Sequence, residues 1–489
     1  MLRRLLLFIS SVLFVESFLM MICALIDIYD KNISWIGFVY GSVAAMFVGV
    51  ILTFIAYTRK RATRTYEIKK ANAVFSIGWL ASIPFGIIPF LINNPDINVS
   101  GAILEFTSAI TTVGLTFYLR DPNISHGLLF WHTILAGIGG IGVIIISCIV
   151  MNDDEQFDSL SHLAKIEFGS EVNLRVSSSN KLAKNIILIY VTIMLLCILC
   201  YRLFGLSTWD AICTGITTVS TSGFVHYTDI HDLLTTNSLL AVATVFMVLG
   251  SIPMVLLAKS VFSFNFNILT RSEQVKWFMR LLALFSIFVI WKMFSQIHIF
   301  SISSIFISVF HVASAMTTTG FNDLSFFTGK FGINSVFGLL FLITVFGGCV
   351  GSTTGGVKMS RLLISVKGVK KLLLTRITPS KITVVRINNN PVKSRAVEDA
   401  LLFIFLYVTT YIVVVCLILF LREPNLGEAS SLALSLITTS GMRGSEVLNL
   451  SNNSNLSITQ IVSSIVMIIG RLELISFYTL FSRRSWAFR

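Results

Sequence analysis

Charge is what this chain has least of. Asp, Glu, Lys and Arg together make up 12% of its 489 residues, with 24 acids, 37 basic residues and only seven histidines. A soluble chain is usually about one-quarter charged, so this one cannot clothe a globule of its length. Seven cysteines are present, at 23, 148, 197, 200, 213, 349 and 416, most of them inside apolar runs. That placement excludes a disulfide framework, and Cys197 and Cys200 have no partner pair with which to hold a metal. No His-Glu cluster, paired carboxylate or nucleophile constellation supports an enzyme. The net charge of +13 would suit a nucleic acid, but the positions of the charges exclude that partner.

What fills the chain is apolar. The hydrophobic fraction is 55%, and several runs reach the length needed to cross a bilayer. Residues 5–27 and 35–57 read as two spans, the first retained rather than cleaved as a signal peptide. A basic cluster follows (Arg59, Lys60, Arg61, Arg64, Lys69, Lys70). Further spans are expected at 71–92, 127–150, 185–205, 237–257, 281–298, 397–421 and 456–481, with a long interrupted one over 331–374. Residues 151–184 are polar and mixed in charge, and 259–280 form a basic, mixed loop. Between 358 and 395 stand ten Lys or Arg and no acid. Ten spans place every basic run on one face, which is the cytoplasmic face by the positive-inside rule, with both termini inside.

Four apolar stretches, at 101–112, 208–219, 303–317 and 427–438, are too short to span. Each ends in a related tetrapeptide: Thr111-Thr112-Val113-Gly114, Ser220-Thr221-Ser222-Gly223, Thr317-Thr318-Thr319-Gly320 and Thr438-Thr439-Ser440-Gly441. The chain is thus a fourfold repeat of span, short re-entrant helix, turn and span, recurring at roughly 100 to 120 residues. Its divisions are 1–70 (two leading spans and a basic loop), 71–184, 185–280, 281–396 and 397–489. The fold class is all-alpha and polytopic.

Non-helical backbone at membrane depth is tolerated where it lines a watery path or is buried in protein. A dehydrating monovalent cation gives four such turns a common reason, because rings of carbonyls replace its hydration shell. The helix C-termini aimed at the same place favour positive charge. The glycine allows a conformation costly for other residues, and the threonine two residues earlier adds a hydroxyl or ties the turn to its helix. Ordinary helix caps are the plain alternative. Glu105 and Asp210 read as carboxylates near the mouth, and Arg443, with Glu446 as its partner, as a positive charge just beyond Gly441.

One motif stands outside the repeat: Gly347-Gly348-Cys349-Val350-Gly351-Ser352-Thr353-Thr354-Gly355-Gly356-Val357-Lys358. It should break the second span of the third unit and lie beneath the four turns, obstructing the path; a helix-packing face is the alternative. The other units show no counterpart to it. It does not fit a nucleotide-binding pattern. Arg471 stands 12 residues before Arg483, roughly 18 Å along a helix, too deep to snorkel. It reads as a contact of the 347–356 loop, as a barrier in the path, or as half of a structural pair.

These residues resemble the Trk/Ktr superfamily of potassium-uptake subunits, in particular its bacterial TrkH type. The resemblance covers essentially the whole chain. It is carried by 347–358, Thr317 to Phe321, Gly470-Arg471-Leu472-Glu473 and Gly137 to Gly142. It implies four pseudo-symmetric membrane-pore-membrane units around one pore, preceded by two extra transmembrane helices. It implies potassium held at the four tetrapeptides and no organic cofactor. Gly347, Gly348, Gly351, Ser352, Thr353, Thr354, Gly355 and Gly356 would gate the pore, with Arg471 as their partner. It also implies a homodimer, a cytoplasmic nucleotide-binding regulatory subunit and a bacterial inner-membrane location. A sodium-and-potassium channel or a cation symporter is the alternative on the same scaffold. The chain departs from the type in the fourth filter (usually Asn-Asn-Leu-Gly-Pro-Gly), at Ser222 (usually Gly), and in lacking a Tyr-Arg-Ala-Glu-like motif in 151–184.

Overall fold

The computed structural model describes residues 2–58, 71–94, 96–119, 124–151, 176–227, 230–297, 301–321, 334–378, 383–422, 425–442 and 455–472. Within them, five helices are long and apolar enough to cross a membrane: Leu5–Tyr29, Trp35–Thr58, Ala183–Leu203, Glu273–Ser295 and Ser394–Arg422. A bent pair adds a sixth if counted as one span. Their outward side chains include Phe18, Phe47, Phe54, Leu195, Ile287, Phe405 and Phe420, all well exposed. A belt of that size on a folded protein is a lipid-facing surface. The interior is correspondingly polar at one place: Thr107, Ser108, Thr111, Thr112, Thr217, Thr218, Thr317, Thr318, Thr438 and Thr439 are all buried.

The four short helices run Val99–Ile110, Thr208–Val219, Ile302–Met316 and Leu426–Ile437. Three have 12 residues and Ile302–Met316 has 15, rises of about 18 to 22 Å, short of a hydrocarbon layer of about 30 Å. Three of them begin on a side-chain cap. Asn98 accepts from the Gly101 amide, Ser207 from Asp210, and Ser301 forms a capping box with Ser304. Such caps satisfy donors that the first helical turn leaves orphaned. Each short helix packs between longer ones: Val99–Ile110 against His126–Met151 and Leu456–Arg471, Thr208–Val219 against Val176–Leu203. Apolar clusters join the second and third units, the two leading helices with the first unit, and the fourth unit with Val113 and Leu115.

Three elements differ from expectation. The span expected at 237–257 is two helices, Asn237–Ser251 and Met254–Phe262, bent by 98°. Pro253 stands at the break, where its ring and missing N–H end a helix. The loop expected over 259–280 is largely helical, since Asn267–Arg271 forms a short turn and the next helix already starts at Glu273. The all-alpha plan also carries one antiparallel pair, Arg386–Ile387 with Asn390–Pro391. In the third unit, Asn334–Thr344 stops, an irregular stretch follows, and Met359–Ile377 resumes. The basic cluster at 59–70, the polar segment 152–175, Arg443, Glu446, Glu473 and the basic tail lie outside the described residues.

Candidate functional site

Each tetrapeptide takes the same backbone path. The second residue is left-handed in every copy: Thr112 (φ 54°), Thr221 (54°), Thr318 (53°) and Thr439 (55°). So is the closing glycine: Gly114 (69°), Gly223 (62°), Gly320 (74°) and Gly441 (63°). A threonine held at positive φ is strained, and strain of this kind persists only where the surroundings impose it. Here the surroundings are the amides. Val113 and Gly114 donate to the Ser108 carbonyl, Ser222 and Gly223 to Thr217, Thr319 and Gly320 to Ser314, and Ser440 and Gly441 to Ser435. Donors are thereby turned back onto the short helix. Among the described residues, no hydrogen bond ends on the carbonyl oxygens of the four segments.

Those segments close into a ring. A Cβ on Gly114 would collide with the carbonyl oxygen of Ser222, one on Gly223 with that of Thr319, one on Gly320 with that of Ser440, and one on Gly441 with that of Val113. Every glycine thus abuts the residue before the next glycine, and the order around the ring is the order along the chain. Four segments from distant parts of the sequence thus bring together, at the C-terminal ends of four helices, carbonyl acceptors that have no donor among the described residues. That arrangement can replace the water around a cation.

The threonines divide their work differently from expectation. The first one ties the turn to its helix: Thr111 donates to the Thr107 carbonyl, and Thr438 to Leu434 at 2.7 Å. The hydroxyls of three second threonines face the stretch 347–356 instead. Thr221 Oγ1 donates to Thr353 Oγ1 (3.2 Å), and Thr318 Oγ1 accepts from the Gly355 amide (2.8 Å). Gly355 lies so close to the Thr438 carbonyl and the Thr439 hydroxyl that a Cβ would strike both.

The stretch 347–356 is therefore packed directly against the ring, and it is bonded on every side. Gly347, Gly351 and Gly356 have positive φ (65°, 77° and 74°), which glycine adopts without the Cβ penalty. Gly348 donates to Thr354 Oγ1 (3.2 Å), and the Ser352 and Thr354 hydroxyls share a hydrogen bond of 2.7 Å. Cys349 donates to the Ser251 carbonyl (3.0 Å), Thr353 to Gly250 (3.2 Å), and Met254 to Gly351 (2.9 Å). The bend at Pro253 in the second unit thus receives this stretch. The expectation that no other unit is broken is corrected here: two units break, and each break fills the other's backbone vacancies. Pro253, three residues after Gly250, was the available sign.

Arg471 is buried (3% exposed) and donates to the Thr353 carbonyl (2.7 Å) and the Gly139 carbonyl (3.4 Å). It joins the stretch to the first unit, so all four units touch the stretch or its arginine. Gln274 is a further contact that the sequence did not single out, its Oε1 accepting from the Val350 amide (3.2 Å). Its neighbour Glu273 holds Lys367 at 2.7 Å and the Asn388 amide at 3.3 Å. Glu105 does not face an entrance. It is fully buried behind the first segment. Asp210 is at a helix start as expected, with its carboxylate accepting from Ser207 Oγ (2.7 Å) and 3.6 Å from His226. Burial pulls the His226 imidazole below its ordinary range, against the nearby Asp210 charge, which pulls it up. Among the described residues no group of three His, Cys, Asp or Glu could hold a metal.

Comparison with known proteins agrees with this geometry. Residues 42–487 match the model of the TrkH family, described as a cation transport protein. The Trk system potassium uptake protein TrkI of Halomonas elongata is 28% identical over 68% of this chain and 67% of its own length. TrkG of Escherichia coli, a Trk system potassium uptake protein, is 25% identical over 88% of each. The crystal structure of the potassium transporter TrkH from Vibrio parahaemolyticus superposes with a TM-score of 0.86 at 20% identity, covering 99% of both chains. The ring of four turns on a multi-pass helical scaffold is thus the fold of a transporter, and this chain belongs to the TrkH family of cation transport proteins.

Proposed function

We propose that this chain is the potassium-conducting subunit of a Trk-type uptake system. The observation that carries the proposal is the closed ring at Gly114, Gly223, Gly320 and Gly441, with its amides bound back and its carbonyls without donors among the described residues. Potassium is the transported ion, held by the carbonyls of the four tetrapeptides. The stretch 347–356 obstructs the path from below and is the gate, with Arg471 holding it closed. Opening requires the bonds of Thr353 to Gly250 and Arg471 and that of Gly355 to Thr318 to be exchanged. The relatives named as potassium uptake proteins support the choice of ion.

The chain works as a homodimer in a bacterial inner membrane, with both termini cytoplasmic. It docks a nucleotide-binding regulatory subunit on its basic cytoplasmic face. The exposed Arg386 and Lys393, beside the pair formed by Lys367 and Glu273, belong to that face. The deciding experiment is flux in proteoliposomes holding the purified full chain. Potassium uptake well above sodium uptake is expected. Equal fluxes would overturn selectivity, and uptake that requires a second ion would make the chain a symporter.

A further inference from the structure

One carboxylate stands behind the ring, in the first unit. Glu105 sits six residues before Thr111 on the helix Val99–Ile110, and its side chain is fully buried. At the same distance before the other three segments stand Thr214, His311 and Leu432. Glu105 Oε1 accepts from the Phe117 amide (2.7 Å), the Tyr118 amide (3.0 Å) and Thr116 Oγ1 (3.1 Å). Thr116 Oγ1 in turn accepts from the Leu119 amide (3.0 Å). Ser108, one turn along the same helix, donates to the Leu115 carbonyl (2.6 Å). Four of the five residues after Gly114 are therefore held directly from the helix behind them, and Leu119 through Thr116. Charge-assisted bonds of this kind are stronger than neutral ones, and a buried carboxylate persists only with such partners.

The other oxygen, Oε2, lies 3.8 Å from His132 Nε2. His132 belongs to the helix His126–Met151 and is also fully buried. Its ring lies against that of Phe224, with centroids 4.0 Å apart. Phe224 directly follows Gly223. The chain Glu105, His132, Phe224 thus runs behind the ring from the first segment to the second. It crosses at the junction where Gly114 meets the Ser222 carbonyl. Among the described residues the third segment is held by the Phe321 amide donating to Ser314 Oγ (2.8 Å), with Phe321 stacked on Phe310.

We propose that Glu105 is a positioning residue for ion selection. It fixes the outer rim of the first segment and, through His132, the spacing between the first and second segments. The proposal rests on the reading of the ring as a potassium filter. Selection by carbonyls depends on how their number and separation are held, and Glu105 holds this junction through three hydrogen bonds to the first segment and its contact with His132.

The test is potassium and sodium flux through the full chain in proteoliposomes, wild type beside Glu105→Ala and Glu105→Gln. Glutamine keeps an acceptor in the place of Oε1; alanine does not. Wild type and Glu105→Gln should share one potassium-to-sodium ratio, while Glu105→Ala lowers it about tenfold, with total cation flux remaining. An unchanged ratio in Glu105→Ala, in protein that elutes as wild type does, overturns the proposal. If Glu105→Ala does not assemble, Thr116→Val and His132→Phe decide. The first removes one donor, and the second keeps the ring against Phe224 while removing Nε2. Each should lower the ratio about threefold, and unchanged ratios in both overturn the proposal. A wild type without potassium preference is a separate outcome, visible before any variant: it overturns the filter reading, and this inference with it.

Discussion

Two stretches of irregular backbone are buried at the centre of this molecule, and they satisfy themselves in opposite ways. In the four tetrapeptides the amides turn back to Ser108, Thr217, Ser314 and Ser435, and the carbonyls have no donors among the described residues. In 347–356 both kinds of group reach outward. The amides of Cys349 and Thr353 donate to the second unit and that of Gly355 to Thr318 in the ring, while the carbonyls of Gly351 and Thr353 accept from the second and fourth units. Unpaired acceptors in a dry interior are unfavourable unless something else fills them. On the proposed reading, the ring offers those acceptors to a cation, and the stretch packed against it moves only when several bonds are exchanged together.

The contrast can be broken most sharply at Gly320. Gly320→Ala places a methyl group on the Ser440 carbonyl at positive φ. Potassium flux should fall to the background of empty liposomes while protein remains in the membrane. Retained flux would show that the ring is not the path.

Arg471→Ala attacks the other side. It leaves the Thr353 carbonyl buried without its guanidinium donor, a loss of about 1–3 kcal/mol. That shifts the closed state toward the open one by about 5- to 150-fold. Leak flux without any regulator should rise accordingly, with the potassium-to-sodium ratio unchanged. A fall in that ratio would mean that the two regions are one device.

Thr221→Val removes a single hydroxyl bond between ring and stretch. A change of about 1 kcal/mol, or about fivefold in leak, is expected. An effect as large as that of Arg471→Ala would place the restraint in the threonines.

The smallest effect concerns the loop after the second tetrapeptide. Burial lowers the His226 affinity for a proton, Asp210 raises it and His126 lowers it further. The folded state then binds fewer protons than the unfolded chain. Stability should be full at neutral pH and decline as pH falls through the ordinary histidine value of about 6.5. His226→Gln should flatten that decline in thermal melts between pH 7 and 5, without altering flux at pH 7. An unchanged slope would assign the decline to other groups.

The short helices were legible in the sequence because two signals coincide there. An apolar run too short to span is ended by a left-handed threonine and glycine. The expected 208–219 is Thr208–Val219, and 427–438 is Leu426–Ile437. The glycine run at 347–356 was legible as a break for the same kind of reason. The bend at Pro253 was not, because hydropathy continues through Ile252, Met254 and Val255 and masks the interruption. The role of Glu105 was hidden too. Helical spacing gives a face, but whether that face looks toward water or toward the next loop depends on residues 116–118 folding back. The partner of Thr221 belongs to another unit and that of Thr318 lies 37 residues on, and no local pattern connects them to Thr353 and Gly355.

The ring closes where Gly441 meets Val113. Val113 is among the first of the ring residues to leave the ribosome, and Gly441 is the last. Chains are made from the N-terminus and fold as their parts appear. A nascent or truncated chain that stops before the fourth unit carries three quadrants and an open side. It cannot assemble the acceptor ring, however well its earlier helices have inserted.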